Sequence, residues 1–105
     1  MNIGVIGGSG FIGSHVVDKL FESGHNVTVF DGVEPHREDV DYKKIDITDL
    51  DDTLVTLDGG YDAIYLLAAM ADVNDCYKNP VKTIEVNVLG VANVLEACVK
   101  HKINR

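Results

Sequence analysis

The residues best placed to do chemistry in this 105-residue chain are three glycines and two acids. Gly7, Gly10 and Gly13 follow a G-x-x-G-x-x-G spacing. Missing Cβ atoms at such points allow a tight turn, close approach of a diphosphate to the backbone, and close packing of the helix that follows. The first amides of that helix, those of Phe11 and Ile12 among them, have no intrahelical acceptor and lie at the positive end of the helix dipole, where an anion is stabilised. Glycines also serve turns that bind nothing, so the spacing alone leaves that alternative open.

Asp31 adds a second anchor. It closes a β-branched and aromatic run, Asn26 to Asp31, where a carboxylate can accept both hydroxyls of an adenosine ribose, against the plainer alternative of an ordinary strand-end acid. Hydrogen bonds to a charged group contribute about 1.5–3 kcal/mol each, whereas a 2′-phosphate about 4 Å away costs up to about 4 kcal/mol at an effective dielectric of about 20. Asp31, with Gly32 beside it, therefore favours NAD over NADP. Arg37 could swing back to a 2′-phosphate, but it lies beyond Pro35 and reads as a surface residue. Asp46-Ile47 offers a carboxylate for an adenine amine and an apolar wall for its ring, or equally a turn ahead of a Thr48 helix cap.

These groups need a scaffold, and the hydrophobic pattern supplies one. Asn2 to Ile6 reads as a short buried strand running into the glycine turn, and a helix from Phe11 ends at Ser23-Gly24. A weaker edge strand is predicted over Val40 to Ile47, then a helix over Leu50 to Leu57 with Thr48 and Asp51 as a capping box. Ala63 to Ala69 is continuously apolar, as in a central parallel strand covered on both faces. Asn79-Pro80 opens a last helix in which Ile84, Val88, Val91, Leu95 and Val99 form an apolar stripe. Right-handed crossovers turn this alternation into an α/β fold, a partial Rossmann fold spanning 1–105, with a parallel sheet of about four strands in the order 3-2-1-4 flanked by helices.

Composition narrows the function. A formal charge of −8 repels a phosphate backbone, which argues against nucleic acid as a partner. Two cysteines without metal-knuckle spacing fit a reducing cytosol, and His15, His25, His36 and His101 are scattered as surface or packing residues, so no metal is expected. No basic leader precedes the first strand and no apolar run approaches bilayer length, so a cytoplasmic protein without a membrane partner is expected.

Taken together, Gly7-Gly8-Ser9-Gly10-Phe11-Ile12-Gly13, Asp31 and Asp46-Ile47 resemble the glycine signature, ribose acid and adenine pair of the extended short-chain dehydrogenase/reductase family. The likeness is to its NAD-dependent nucleotide-sugar epimerases and dehydratases, and it covers nearly the whole chain. It implies that Leu67, Ala68, Ala69 and Ala71 border the nicotinamide ribose, and that Asn87 is the helix asparagine supporting the cofactor region, with Gly90 allowing close helix packing. Leu66 stands where the family often has His, and Asn74 where a polar or basic residue is common.

The family's Tyr-x-x-x-Lys pair has no counterpart, because Tyr42, Tyr61, Tyr65 and Tyr77 are followed four positions on by Asp46, Tyr65, Ala69 and Val81. No catalytic residue is therefore expected here. The resemblance implies the NAD-binding segment of a nucleotide-sugar enzyme, inactive alone. The alternative is a stand-alone dinucleotide-sensing module. Without a fifth strand, the fourth-strand edge or the last helix is expected to drive homo-oligomer formation.

Overall fold

Asn2–Ile6 forms β1, and its side chains alternate between two cores. Ile3 and Val5 join Val17, Val27, Val29 and Ala63 on one face of the sheet. Ile6 joins Phe30, Ile45, Ile47, Leu57, Val94 and Ala97 on the other. Burial on both faces explains why this strand reads as a continuous apolar run. The computed structural model describes residues 1–105.

β2 spans Asn26–Asp31, β3 Asp41–Lys44 and β4 Ala63–Leu66. All pairings are parallel and the order is β3-β2-β1-β4, as the sequence predicts for a Rossmann-type sheet. α1 (Phe11–Glu22) covers one face through Gly13 and Val17. α2 (Leu50–Thr56) and α5 (Gly90–Lys100) pack together on the other. Two short helices intervene, α3 (Val73–Lys78) and α4 (Pro80–Ile84), and a π turn over Glu85–Leu89 joins α4 to α5. No helix is long and apolar enough to cross a membrane.

Several expectations are corrected. β4 is an edge strand rather than a central one and ends at Leu66, with Tyr65 exposed. Its outer side is partly met by the chain's own tail, where the Ile64 amide donates to the Arg105 carbonyl. Thr48 does not cap α2, because its amide and hydroxyl both donate to Asp46. Asp49 caps the helix instead, accepting from the Asp52 amide. The Asn79 side chain donates to the Asp75 carbonyl rather than capping α4, and α3 is an unforeseen helix, capped by Asp72.

The largest correction concerns the last helix. The face turned inward carries Gly90, Asn93, Val94 and Ala97. Of the expected stripe, Val88 and Val99 are 62% and 81% exposed, and Ile84 and Leu95 are also exposed. Small residues explain the choice, since a Cβ on Gly90 would lie 2.7 Å from the Ile47 Cδ1. The helix approaches the sheet more closely through that face than a row of branched side chains would permit.

Candidate functional site

At the C-terminal ends of the strands the glycine turn wraps one wall of a cleft of about 540 Å³. This is where ligands bind in open α/β sheets. Gly7 adopts φ +86°, a backbone region that disfavours other residues, and its amide donates to the Phe30 carbonyl. A Cβ on Gly7 would meet the Ala68 backbone nitrogen at 2.6 Å, and a Cβ on Gly13 would lie 2.0 Å from the Gly7 carbonyl oxygen. Those contacts set strand, turn and helix against one another. The amides of Phe11, Ile12 and Gly13 make no hydrogen bond within the chain, and no acidic residue occupies the first turn of α1. The helix start is thus free to meet an external anion.

Asp31 sits half-buried at the end of β2. Its carboxylate accepts the Ser9 amide at 3.0 Å, the Gly32 amide at 2.7 Å and, more weakly, the Val33 amide at 3.4 Å. The Ser9 hydroxyl returns a bond to the Val33 carbonyl. Two carboxylate oxygens offer about four acceptor sites, so acceptor capacity remains for a ribose hydroxyl. Asp31 is therefore both a tie between the glycine turn and the β2 end and a group with acceptor capacity to spare.

Lys44 is the β3 register partner of Asp31 and also lines the cleft, a cation that distance along the chain concealed. Arg37, by contrast, is fixed to α1. Its guanidinium bonds Asp39 and Asp18 and lies 4.0 Å over the Phe21 ring, as its surface reading anticipated.

Asp46 and Ile47 present an acceptor beside a donor. One Asp46 oxygen takes the Thr48 hydroxyl at 2.6 Å and the Thr48 amide at 3.0 Å, and the other has no partner in the chain. The Thr48 hydroxyl, then its amide, hold the Asp46 carboxyl below the usual aspartate value; burial opposes this and Lys82 assists. The Ile47 amide is also unpartnered, while the Ile47 carbonyl accepts from Asn93 at 2.7 Å. An unpartnered acceptor next to an unpartnered donor complements the amine and ring nitrogen of an adenine edge.

Beyond β4, Leu67, Ala68 and Ala69 line the cleft. The Asn87 side chain sits in the π turn and clasps Met70, accepting its amide and donating to its carbonyl, each at 2.8 Å. Asn87 shapes this wall through Met70 and does not itself line the cleft.

Of the residues the sequence singles out, the structure brings Gly7, Gly10, Asp31, Gly32, Asp46, Ile47, Leu67, Ala68 and Ala69 together around one cleft. Phe11, Ile12 and Gly13 stand behind the turn, with the Phe11 and Ile12 side chains exposed, and Ala71 lies outside the lining. Ile6, Phe30, Ile45, Thr48, Lys82 and Val86 complete the wall with Lys44. The first three are legible only as strand residues and Thr48 only as a helix cap, while Lys82, Val86 and Lys44 carry no motif.

The NAD dependent epimerase/dehydratase family matches residues 3–105. The UDP-glucose 4-epimerase of Lactobacillus helveticus is 38% identical over 103 residues, covering 92% of this chain and 31% of that protein. The UDP-glucuronic acid decarboxylase 1 of Danio rerio is 34% identical over 96 residues, covering 87% of this chain and 23% of that protein. Among solved structures, UDP-glucose 4-epimerase from Thermus thermophilus in complex with NAD has a TM-score of 0.88 at 32% identity, over 99% of this chain and 35% of that one. The chain spans a quarter to a third of the length of these proteins.

Proposed function

The chain belongs to the NAD dependent epimerase/dehydratase family, and from that premise we propose that residues 1–105 grip NAD for an enzyme acting on a nucleotide sugar. The observation that carries the proposal is the meeting of the glycine turn, through Gly7 and Gly10, with the Asp31 carboxylate around one cleft, the turn leading straight into a helix whose Phe11–Gly13 amides are unpartnered. The amides would hold the diphosphate, Asp31 the adenosine ribose, and Asp46 with Ile47 the adenine edge. Leu67 to Ala69 would border the nicotinamide ribose, with Ala71 just beyond and Asn87 holding their backbone in place.

When bound, the nicotinamide supplies a centre that accepts a hydride and returns it. A UDP-sugar is the proposed substrate, from the epimerase and decarboxylase names of the relatives. This part of the chain binds and orients. The proposal assigns no catalytic residue to it, since none of its tyrosines has a lysine four positions on, so residues 1–105 alone are expected to bind without turnover. Two free thiols, Cys76 and Cys98, suit the cytosol. The exposed stripe of Ile84, Val88, Leu95 and Val99 suits contact between two copies.

Calorimetric titration with NAD, NADP and ADP-ribose tests this reading, with light scattering on the same samples. NAD and ADP-ribose are expected to bind more tightly than NADP. Asp31→Ala should weaken NAD by about tenfold or more and erase the preference, because Lys44 then remains beside the 2′ position without an opposing carboxylate. Equal binding of NAD and NADP by the unaltered protein would sink the Asp31 assignment. A strict monomer at high concentration would remove the self-association part alone.

A further inference from the structure

Asn93 lies on α5, far along the chain from every glycine and acid of the cleft, yet it is 5% exposed and is the residue whose side chain makes a fully buried hydrogen bond. Its Nδ2 donates to the Ile47 carbonyl at 2.7 Å. That carbonyl and the Thr48 amide belong to a single planar peptide. The Thr48 amide in turn donates to one oxygen of Asp46 at 3.0 Å, joined by the Thr48 hydroxyl. Holding the carbonyl at one side of the plane therefore fixes the direction in which the amide points at the other. It also fixes which Asp46 oxygen is engaged and which is left open to the cleft.

Gly90, one turn earlier, bears on the same residue, because any Cβ there would press on Cδ1 and Cγ1 of Ile47 at 2.7 and 2.9 Å. Ile47 is thus held by its carbonyl through Asn93 and by its side chain through Gly90, and only 6% of it is exposed. The donor of the adenine-edge pair, the Ile47 amide, rides on this same fixed residue.

We infer that Asn93 is a positioning residue for base discrimination, aligning the Asp46 carboxylate and the Ile47 amide so that the cleft reads adenine rather than another purine. The inference rests on the reading that NAD binds with its adenine at Asp46 and Ile47. Adenine presents an amine donor and a ring-nitrogen acceptor to this pair. Hypoxanthine presents a carbonyl acceptor and an N–H donor, the reverse at both points. A rigid acceptor-donor pair rejects the reversed edge, because a mismatch leaves polar groups opposed, whereas a loose pair rotates to accommodate it.

The experiment titrates the full chain with NAD and with nicotinamide hypoxanthine dinucleotide, and takes the ratio of the two dissociation constants in unaltered, Asn93→Ala and Asn93→Leu proteins. The leucine variant keeps the side-chain volume and removes the donor, so it decides the matter if the alanine variant does not fold. The unaltered chain is expected to prefer NAD by about tenfold or more, and the variants to shrink that ratio to within about twofold. Nicotinamide mononucleotide affinity should stay unchanged. A variant with a lower melting temperature but an intact ratio makes Asn93 merely structural and overturns the inference, leaving the adenine reading standing. An unaltered chain that binds both dinucleotides equally overturns the adenine reading, and this inference with it.

Discussion

Where β2 and β3 finish, the cleft presents two acids, Asp31 and Asp46, each held by amides or a hydroxyl from an adjoining turn. Where β4 finishes, residues 67–71 contain no ionisable side chain, and the wall is backbone and methyl surface held from behind by Asn87. One end therefore offers charge and the other shape. The glycine turn lies between them and touches both, since Gly7 bonds the end of β2 through the Phe30 carbonyl and abuts the Ala68 backbone.

The largest effect is expected where the two ends share a part. In Gly13→Ala the new Cβ would lie 2.0 Å from the Gly7 carbonyl oxygen, a backbone atom that cannot swing aside. The helix start must lift from the turn, at about 3 kcal/mol of stability. NAD affinity should fall about 100-fold, and ADP-ribose and nicotinamide mononucleotide should both weaken. Thermal melts and titrations read these together. Loss confined to one half of the dinucleotide would show that the turn serves that end alone.

The same contrast separates what the sequence discloses from what it conceals. The glycine turn, Asp31 and the first two strands are legible because their signals are local: small residues where a turn must tighten, and an acid at a strand's last position. Lys44 escapes notice because only sheet register brings it to Asp31. Asn93 escapes because Ile47, its partner, lies on the far side of several helices and a strand in sequence. The apolar stripe on the last helix is legible, but which face turns inward is not, and most of the stripe is exposed. Gly90 and Ala97 register weakly on any hydrophobic scale, yet their small size gives that face the closer fit. The π turn adds a further change of phase inside what reads as one helix, leaving Asn87 toward Met70 and Asn93 toward Ile47.

A middling effect is expected behind β4. Asn87→Ala strips the Met70 backbone of two bonds, one at its amide and one at its carbonyl, and leaves that part-buried amide unsatisfied, costing about 1–3 kcal/mol. ADP-ribose has no nicotinamide, so its affinity should change by less than about twofold, while NAD's advantage over it shrinks by about fivefold. Equal weakening of both ligands would mean that Asn87 supports the whole cleft, and the two ends would then be one unit.

The smallest effect distinguishes the ends by pH. The Thr48 hydroxyl is the foremost cause of Asp46's depressed pKa, followed by the Thr48 amide. A carboxyl whose folded value lies below its unfolded value of about 3.9 stabilises the fold above that pH, and the contribution is lost as pH falls through the folded value. Thr48→Val should therefore lower the unfolding free energy by a constant amount from about pH 8 to about 5, of no more than about 1 kcal/mol because Asp46 is exposed. The deficit should dwindle below about pH 4 as the carboxyl protonates and no longer favours the hydroxyl. The Asn87→Ala deficit should stay level across the same range, since neither its amide nor the Met70 backbone titrates there. Denaturant titrations of the two variants against the unaltered chain at stepped pH measure both curves. A Thr48→Val deficit that persists unchanged into acid would trace the hydroxyl's role to packing, and the contrast between a charged end and a neutral one would lose its support at Asp46.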